Sequence, residues 1–247
     1  MELLSYEEFM NMPGTEWIVE GLVPVGEEVM ILSPEGTGKS QLALELGYCI
    51  ATGESFLDYE VVQPRPVIFV IAEGQADQKT RLESYPEPPA GTLWFVVDSF
   101  MWSNSTQVKE LLLLASELRV SPVVIFDTAQ KCGFLEDPNL VMKGLLALGQ
   151  AGVTQIILHH PRKMPAGEAS SRGKQWDDAA WGPSPMTNGN RVRLAMVKEG
   201  TRRWLTVTKN NCQKGVSEGT KIEVALVEGR CVRSTLVPAK RITVNLT

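Results

Sequence analysis

The segment Ser33-Pro34-Glu35-Gly36-Thr37-Gly38-Lys39-Ser40 constrains the fold of this chain more than any other. It follows Glu28-Val29-Met30-Ile31-Leu32, a short apolar run of the kind expected of a strand covered on both faces. From Lys39 onward, Leu42, Leu44, Leu46 and Ile50, with Ala43 and Ala51 between them, fit a buried helix that Thr52-Gly53 can stop. A glycine-rich turn joining strand to helix is the setting a phosphate loop requires. Gly36 and Gly38 let the backbone curl so that its N–H groups and the helix N-terminus face an anion, and Lys39 adds a point charge near the β- and γ-phosphates. The Ser40 hydroxyl is placed to bind Mg²⁺. Ser33, Pro34, Glu35, Gly36, Thr37, Gly38, Lys39 and Ser40, with Gln41 in the first helical turn, are therefore the expected nucleotide contacts. The general pattern begins with glycine where this chain has Ser33, a position on which phosphate contact depends less. The competing reading, a plain turn with an exposed lysine, does not account for both flanks.

The rest of the chain alternates in texture. Apolar runs at 66–72, 93–97, 122–126 and 153–158 read as interior strands, each bounded by Pro, Gly or a charge. Between them lie helical patterns at 105–120 and from Asp137-Pro138-Asn139, with Asp as cap and Pro in the first turn. Strands alternating with helices predict an α/β fold with a mostly parallel central sheet. After about residue 190 the runs around Val192, Trp204 and Ile222 alternate without helices between them, which predicts antiparallel hairpins extending that sheet. The expected organisation is an N-terminal approach segment at 1–20, acting as a lid or packing arm, a core at 21–215, and a C-terminal β extension of the same domain at 216–247. With 247 residues, 43% of them hydrophobic, one large core suffices.

Composition excludes several classes. A net charge of -5 and a pI near 5.3 argue against a broad basic surface that coats nucleic acid, though not against a local basic loop. No apolar run approaches the roughly 18 residues of a membrane span, and the start MELLSYEEFM is acidic where a secretory leader is basic, so a cytoplasmic location is expected. Cys49, Cys132, Cys212 and Cys231 form no C-x-x-C pair, which predicts reduced thiols rather than a zinc site or disulfide framework.

Hydrolysis needs an acid in the metal shell and a group to orient the attacking water, both at strand ends beside the loop. Asp127, closing Val124-Ile125-Phe126, fits the first role, and Glu73, closing Val70-Ile71-Ala72, fits the second. A helix-capping acid is the alternative for Asp127, and a solvated strand-terminal acid the alternative for Glu73.

Together with the loop, Ala72-Glu73 followed by Arg81-Leu82, Phe126-Asp127-Thr128, Leu158-His159-His160 and Ser171-Arg172-Gly173 resemble the RecA-like hexameric helicase family typified by plasmid RepA. Motif order and spacing agree from about residue 16 to 215. That family also starts its loop with Ser-Pro, and DnaB-type helicases and KaiC share the deeper fold. The resemblance implies a RecA-like P-loop fold binding ATP and Mg²⁺, with Glu73 as catalytic glutamate, Asp127 as the Walker B acid, His160 as γ-phosphate sensor and Arg81 among the nucleotide-binding residues. It also implies a homo-oligomer, a hexamer in that family, with ATP between subunits and a cation supplied by the neighbour. The Lys-x-Arg pair of DnaB-like proteins is Lys209-Asn210-Asn211 here, so Lys209 and Arg172 become the two candidates; a solvated surface cation is the alternative for each. Two loops would face the ring axis, one at 128–138 with Lys131 and one at 161–176 with Arg162, Lys163 and Lys174, as contacts to single-stranded DNA. The implied activity is an ATP-hydrolysing motor on single-stranded DNA, a replicative helicase or recombination ATPase. The alternative is an ATP-dependent oligomerisation switch of the KaiC sort, without translocation.

Overall fold

The computed structural model describes residues 3–160 and 189–234. A nine-stranded sheet runs through the molecule. In chain order its strands are β3 (Glu28–Leu32), β4 (Val67–Ile71), β5 (Leu93–Val96), β6 (Val123–Asp127), β7 (Thr154–His159), β8 (Val192–Glu199), β9 (Arg202–Asn210), β10 (Lys221–Val227) and β11 (Arg230–Arg233). Their spatial order is β11-β10-β9-β8-β3-β7-β6-β4-β5. From β5 to β8 every pairing is parallel, and from β8 to β11 every pairing is antiparallel. A small hairpin of β1 (Trp17–Val19) and β2 (Val23–Pro24) precedes it.

The near-continuous apolar runs are explained by burial on both faces, since successive side chains point to opposite sides. Val29, Ile31, Phe69, Ile125, Ile156 and Leu158 join one core with α2 (Lys39–Thr52) and the β1–β2 hairpin. Met30, Leu32, Val70, Phe126 and Ile157 join the other, under α4 (Ser105–Ser116) and α5 (Pro138–Gln150). Residues 3–14 are exposed, whereas at the hairpin Val19, Leu22 and Val23 are fully buried. Ahead of it stands a short helix, α1 (Tyr6–Met10), closed by a Ser5–Glu8 capping box that the sequence reading passed over.

Helix ends follow local chemistry. Gly53 stops α2 in the left-handed region at φ 82, and the Asp137 side chain accepts from Asn139 N–H at the start of α5. The helix expected at 105–120 ends at Ser116, with Glu117 as its C-cap, and the chain turns from there into β6. Within the helix its Leu111-Leu112-Leu113-Leu114 run turns to different faces, with Leu111 buried and Leu113 and Leu114 exposed. Cys49, Cys132 and Cys231 are buried thiols and Cys212 is half-buried; none is in a disulfide.

The C-terminal strands are fastened to the phosphate-loop helix by one buried cluster. Glu45 of α2 accepts from Arg230 Nη2 at 2.7 Å, from the Tyr85 hydroxyl at 3.0 Å and from Cys231 N–H at 3.0 Å. The Arg230 guanidinium lies 4.9 and 5.0 Å from the ring centres of Tyr48 and Tyr85, and pairs with Glu54 at 2.9 Å. Glu228 and Gly229, at φ 50 and 82, form the two-residue turn that reverses β10 into β11.

Arg230→Ala leaves the Glu45 carboxylate buried without its cation. A loss of about 2–4 kcal/mol is expected, below the usual cost for a fully buried pair because Arg230 is partly solvated. Arg230→Lys should restore little of it, since a lysine neither forks onto a carboxylate nor stacks between two rings as arginine does. Urea denaturation of the three proteins measures both effects.

Candidate functional site

Because β3, β4, β6 and β7 are parallel, their C-terminal ends share one edge of the sheet, where open α/β sheets bind ligands. The phosphate loop leaves that edge from β3, between the ends of β7 and β8. Ser33 N–H donates to the His159 carbonyl at 3.2 Å, and the Ser33 and Thr37 hydroxyls both donate to the Pro34 carbonyl, at 3.0 and 2.8 Å. Gly36 and Gly38 adopt φ 73 and 101, whereas Ser33 is outside the left-handed region, so the first loop position requires no glycine.

Lys39 is 5% exposed, and its ammonium sits 3.2 Å from His160 Nε2 and 3.4 Å from Nδ1. His160 Nδ1 lies 3.2 Å from the Ser33 carbonyl. The Ser33 carbonyl can only accept, so Nδ1 carries the proton and Nε2 is the ring nitrogen left to accept from the ammonium beside it. Burial lowers the Lys39 pKa to about 8, against the opposing pull of Asp127, Glu73 and Glu35. Burial and then the Lys39 charge hold His160 below its ordinary value, which keeps the ring neutral at neutral pH. The two adjacent histidines divide their roles: His159 is fully buried and packs its ring 4.7 Å from that of Phe134.

Asp127 ends β6 at 4% exposure, and burial raises its pKa against the Ser40 hydroxyl bonded to it and the Lys39 and Arg81 charges. Gln78 also donates to Asp127, Nε2 to Oδ2 at 3.4 Å. Arg81 Nη1 donates in turn to Gln78 Oε1 at 2.9 Å, so Arg81 reaches the site through Gln78. Gln78 had no sequence signal beyond standing three residues before Arg81 on α3 (Gln75–Leu82), yet it is the one buried residue of that helix. Ser40 and Asp127 supply the hard oxygen donors Mg²⁺ prefers. Mg²⁺ bound with a nucleotide needs only one or two protein ligands, so the lack of any cluster of three His, Cys, Asp or Glu among the described residues does not conflict with it.

Glu73 stands just past β4 and pairs with Lys131 at 3.5 Å, both side chains about half exposed. Lys131 comes from the 3-10 turn Ala129–Cys132 that follows β6. The Gln41 side chain is committed elsewhere, donating to the Gly229 carbonyl and the Tyr85 hydroxyl. What Gln41 offers a phosphate is its backbone N–H in the first turn of α2, where N–H groups lack intrahelical partners. Lys209 donates to the Asn190 carbonyl at 2.6 Å, near the start of β8 and so towards the sheet edge opposite the phosphate loop. In its own chain it is turned away from Lys39. Arg162, Lys163, Arg172 and Lys174 lie outside the described residues. Sequence reasoning also passed over Arg203 of β9, whose Nε donates to the Thr37 carbonyl at 3.0 Å.

A family model described as an AAA domain matches residues 9–166. Among solved structures, a KaiC-like protein from the hyperthermophilic archaeon Pyrococcus horikoshii OT3 is similar at a TM-score of 0.61 and 15% identity. The match covers 90% of this chain and 100% of that one. The fold is accordingly the RecA-like P-loop fold. With 590 solved chains matching, it is too widely shared to name a substrate. No curated protein matches the sequence. Among the described residues, no helix is long and apolar enough to cross a membrane.

The Lys39 environment sets a pH dependence for nucleotide binding. A bound phosphate raises the lysine pKa, so binding above about pH 8 must take up a proton, while below it the ammonium is already present. ADP affinity should be flat towards lower pH and fall on the alkaline side by up to roughly ten-fold per pH unit. Calorimetric titrations in buffers of different ionisation heat should detect proton uptake on that side only. A profile flat well beyond pH 8 would contradict the assignment of Lys39.

Proposed function

The chain belongs to the AAA domain family, and from that premise we propose that it is an ATP- and Mg²⁺-dependent ATPase that works as a homo-oligomeric motor on single-stranded DNA in the cytoplasm, as RepA-type helicases do. The observation that carries the ATPase reading is the Lys39–His160–Ser33 arrangement at the mouth of the phosphate loop, with Asp127 against Ser40 beside it. Ser40 and Asp127 would hold Mg²⁺, which neutralises charge on the phosphate chain when bound. The Lys39 ammonium transfers from a neutral imidazole to the γ-phosphate, a far stronger acceptor. His160 then loses its partner on Nε2 while its Nδ1–H remains on Ser33, so the nucleotide's state is felt at the end of β7. Glu73, half exposed and next to Asp127's strand, orients the attacking water.

Two features support a partner coupled to this cycle. The chain leaves β7 directly at His160, and the turn after β6 carries Lys131 against Glu73, so both segments expected to meet DNA start at the nucleotide. Lys209, which donates to the Asn190 carbonyl on the side away from its own phosphate loop, is our candidate for the cation that serves a second copy's nucleotide; Arg172, the other candidate, lies outside the described residues. The likeness to a KaiC-like protein supports a second reading, an ATP-dependent oligomerisation switch without translocation.

Steady-state ATP hydrolysis at fixed low salt, with and without single-stranded DNA, separates the readings; salt is fixed because phosphate contacts depend on it. The motor predicts turnover stimulated by DNA and abolished in Lys39→Ala. Glu73→Gln should lower kcat by about 10²–10⁴-fold and leave ADP binding intact. Turnover indifferent to DNA, with oligomer size set by nucleotide, would replace the motor by the switch, and an inactive wild-type protein would remove both.

A further inference from the structure

The hairpin of β8 and β9 continues past the end of the strand it pairs with. Leu32, the last residue of β3, is opposite Ala195, but β8 runs on to Glu199 and β9 returns from Arg202. Four residue pairs, from Met196–Leu205 to Glu199–Arg202, therefore stand beyond the sheet edge. At about 3.4 Å per residue this makes a wall on the order of 14 Å long, on the side of the phosphate loop away from β7. Along β9, Arg203 shares a face with Leu205 and Val207, which are buried in the core around α2. The same face carried past the edge brings Arg203 to the loop: its Nε donates to the Thr37 carbonyl, and a side-chain carbon built on Gly38 would lie 3.6 Å from that nitrogen.

Neighbouring arginines on this wall differ in what they hold. Arg202 is paired with Glu223 at 3.5 Å. Arg203 is half-buried, belongs to no ion pair among the described residues, and uses one of the five N–H donors of a guanidinium on Thr37. An arginine half-buried without a carboxylate, in a chain of net charge -5 and beside a second buried cation at Lys39, marks a place that an anion completes. The carbonyl of the N-cap Gly38 accepts from Leu42 N–H at 3.0 Å, and the Thr37 carbonyl is the next one back. It accepts from Arg203 and not from the Gln41 N–H, which makes no backbone hydrogen bond among the described residues and is left for an anion.

We propose that Arg203 is a positioning residue for the nucleotide in its own chain. From the β8–β9 wall it fixes the Thr37-Gly38 peptide in the phosphate-receiving conformation and adds positive potential beside the phosphate chain, so that it governs nucleotide affinity rather than the chemical step. The proposal rests on the nucleotide-binding reading of the loop.

The test is equilibrium binding of a fluorescent ADP analogue, together with kcat and KM for ATP, in wild type, Arg203→Ala, Arg203→Lys, Arg203→Gln and Arg202→Ala, each checked for folding by its urea midpoint. Arg203→Ala should bind the analogue roughly ten- to hundred-fold more weakly, the range for losing a charged hydrogen-bond donor. Its KM should rise while kcat at saturation stays within about two-fold, as for loss of uniform binding. Lys, which keeps charge and a donor, should recover part of the affinity and Gln less. Arg202→Ala should bind as wild type does. Unchanged affinity in Arg203→Ala, an equal loss in Arg202→Ala, or a fall in kcat at unchanged affinity overturns the proposal. If Arg203→Ala fails to fold, the Lys and Gln variants decide, and wild-type affinity in both overturns it. Binding by wild type that is lost in Lys39→Ala establishes the nucleotide site independently of these outcomes. Wild type that binds no nucleotide removes the parent reading and this proposal with it.

Discussion

The Lys39 ammonium is held almost out of water at the end of a parallel sheet, and the arrangement around it follows from the cost of doing so. A buried cation needs acceptors or opposite charge nearby, or it gives up its proton. Here a neutral imidazole accepts from it, and Asp127, Glu73 and Glu35 raise its pKa from further off. These compensations are partial, since the net shift is still downward to about 8. Burial thus outweighs the nearby carboxylates, and a bound phosphate that accepted directly from the ammonium would offset that cost. Asp127 is likewise pushed up by burial, against the Ser40 hydrogen bond and the Lys39 and Arg81 charges.

Around that centre, α2 is held at several points along its length. Its first turn is tied by Gln41 to the Gly229 carbonyl in the β10–β11 turn, and its middle by Glu45 to Arg230. The loop before it is braced by Arg203 from β9 and by His160 at the end of β7. The antiparallel strands after residue 190 thus do more than widen the sheet: they fix the helix whose N-terminus faces the phosphates. Preorganised donors that need no rearrangement when the ligand arrives are what give such loops their electrostatic advantage.

The parallel half of the sheet does something different, bringing to one edge residues distant in sequence. Glu73, Asp127 and His160 stand at or just past the ends of three different strands that share a direction, so their convergence is a property of topology and not of local sequence. Because the segments after β6 and β7 begin at that edge, any partner they contact is mechanically close to the nucleotide. The fold alone does not choose between a motor and a switch, as both can be built on it.

Much of this was legible in the sequence, for identifiable reasons. Strands buried on both faces need unbroken apolar runs, helix starts need caps such as Asp137, and a phosphate loop needs glycine where φ is positive, as at Gly36 and Gly38; each leaves a local mark that one segment carries by itself. The sequence could therefore determine the α/β class, the loop, and the strand ends at Glu73, Asp127 and His160. It could not determine that Gln78 links Arg81 to Asp127, that Gln41 faces Gly229, that Lys131 meets Glu73, or that Arg203 reaches Thr37 across 166 residues. Those are contacts of polar side chains with no periodicity of their own, and their partners are set by strand order and register. Only the tertiary structure decided them, because a donor's partner depends on which backbone passes within hydrogen-bonding distance, and that is fixed only when the whole sheet has formed.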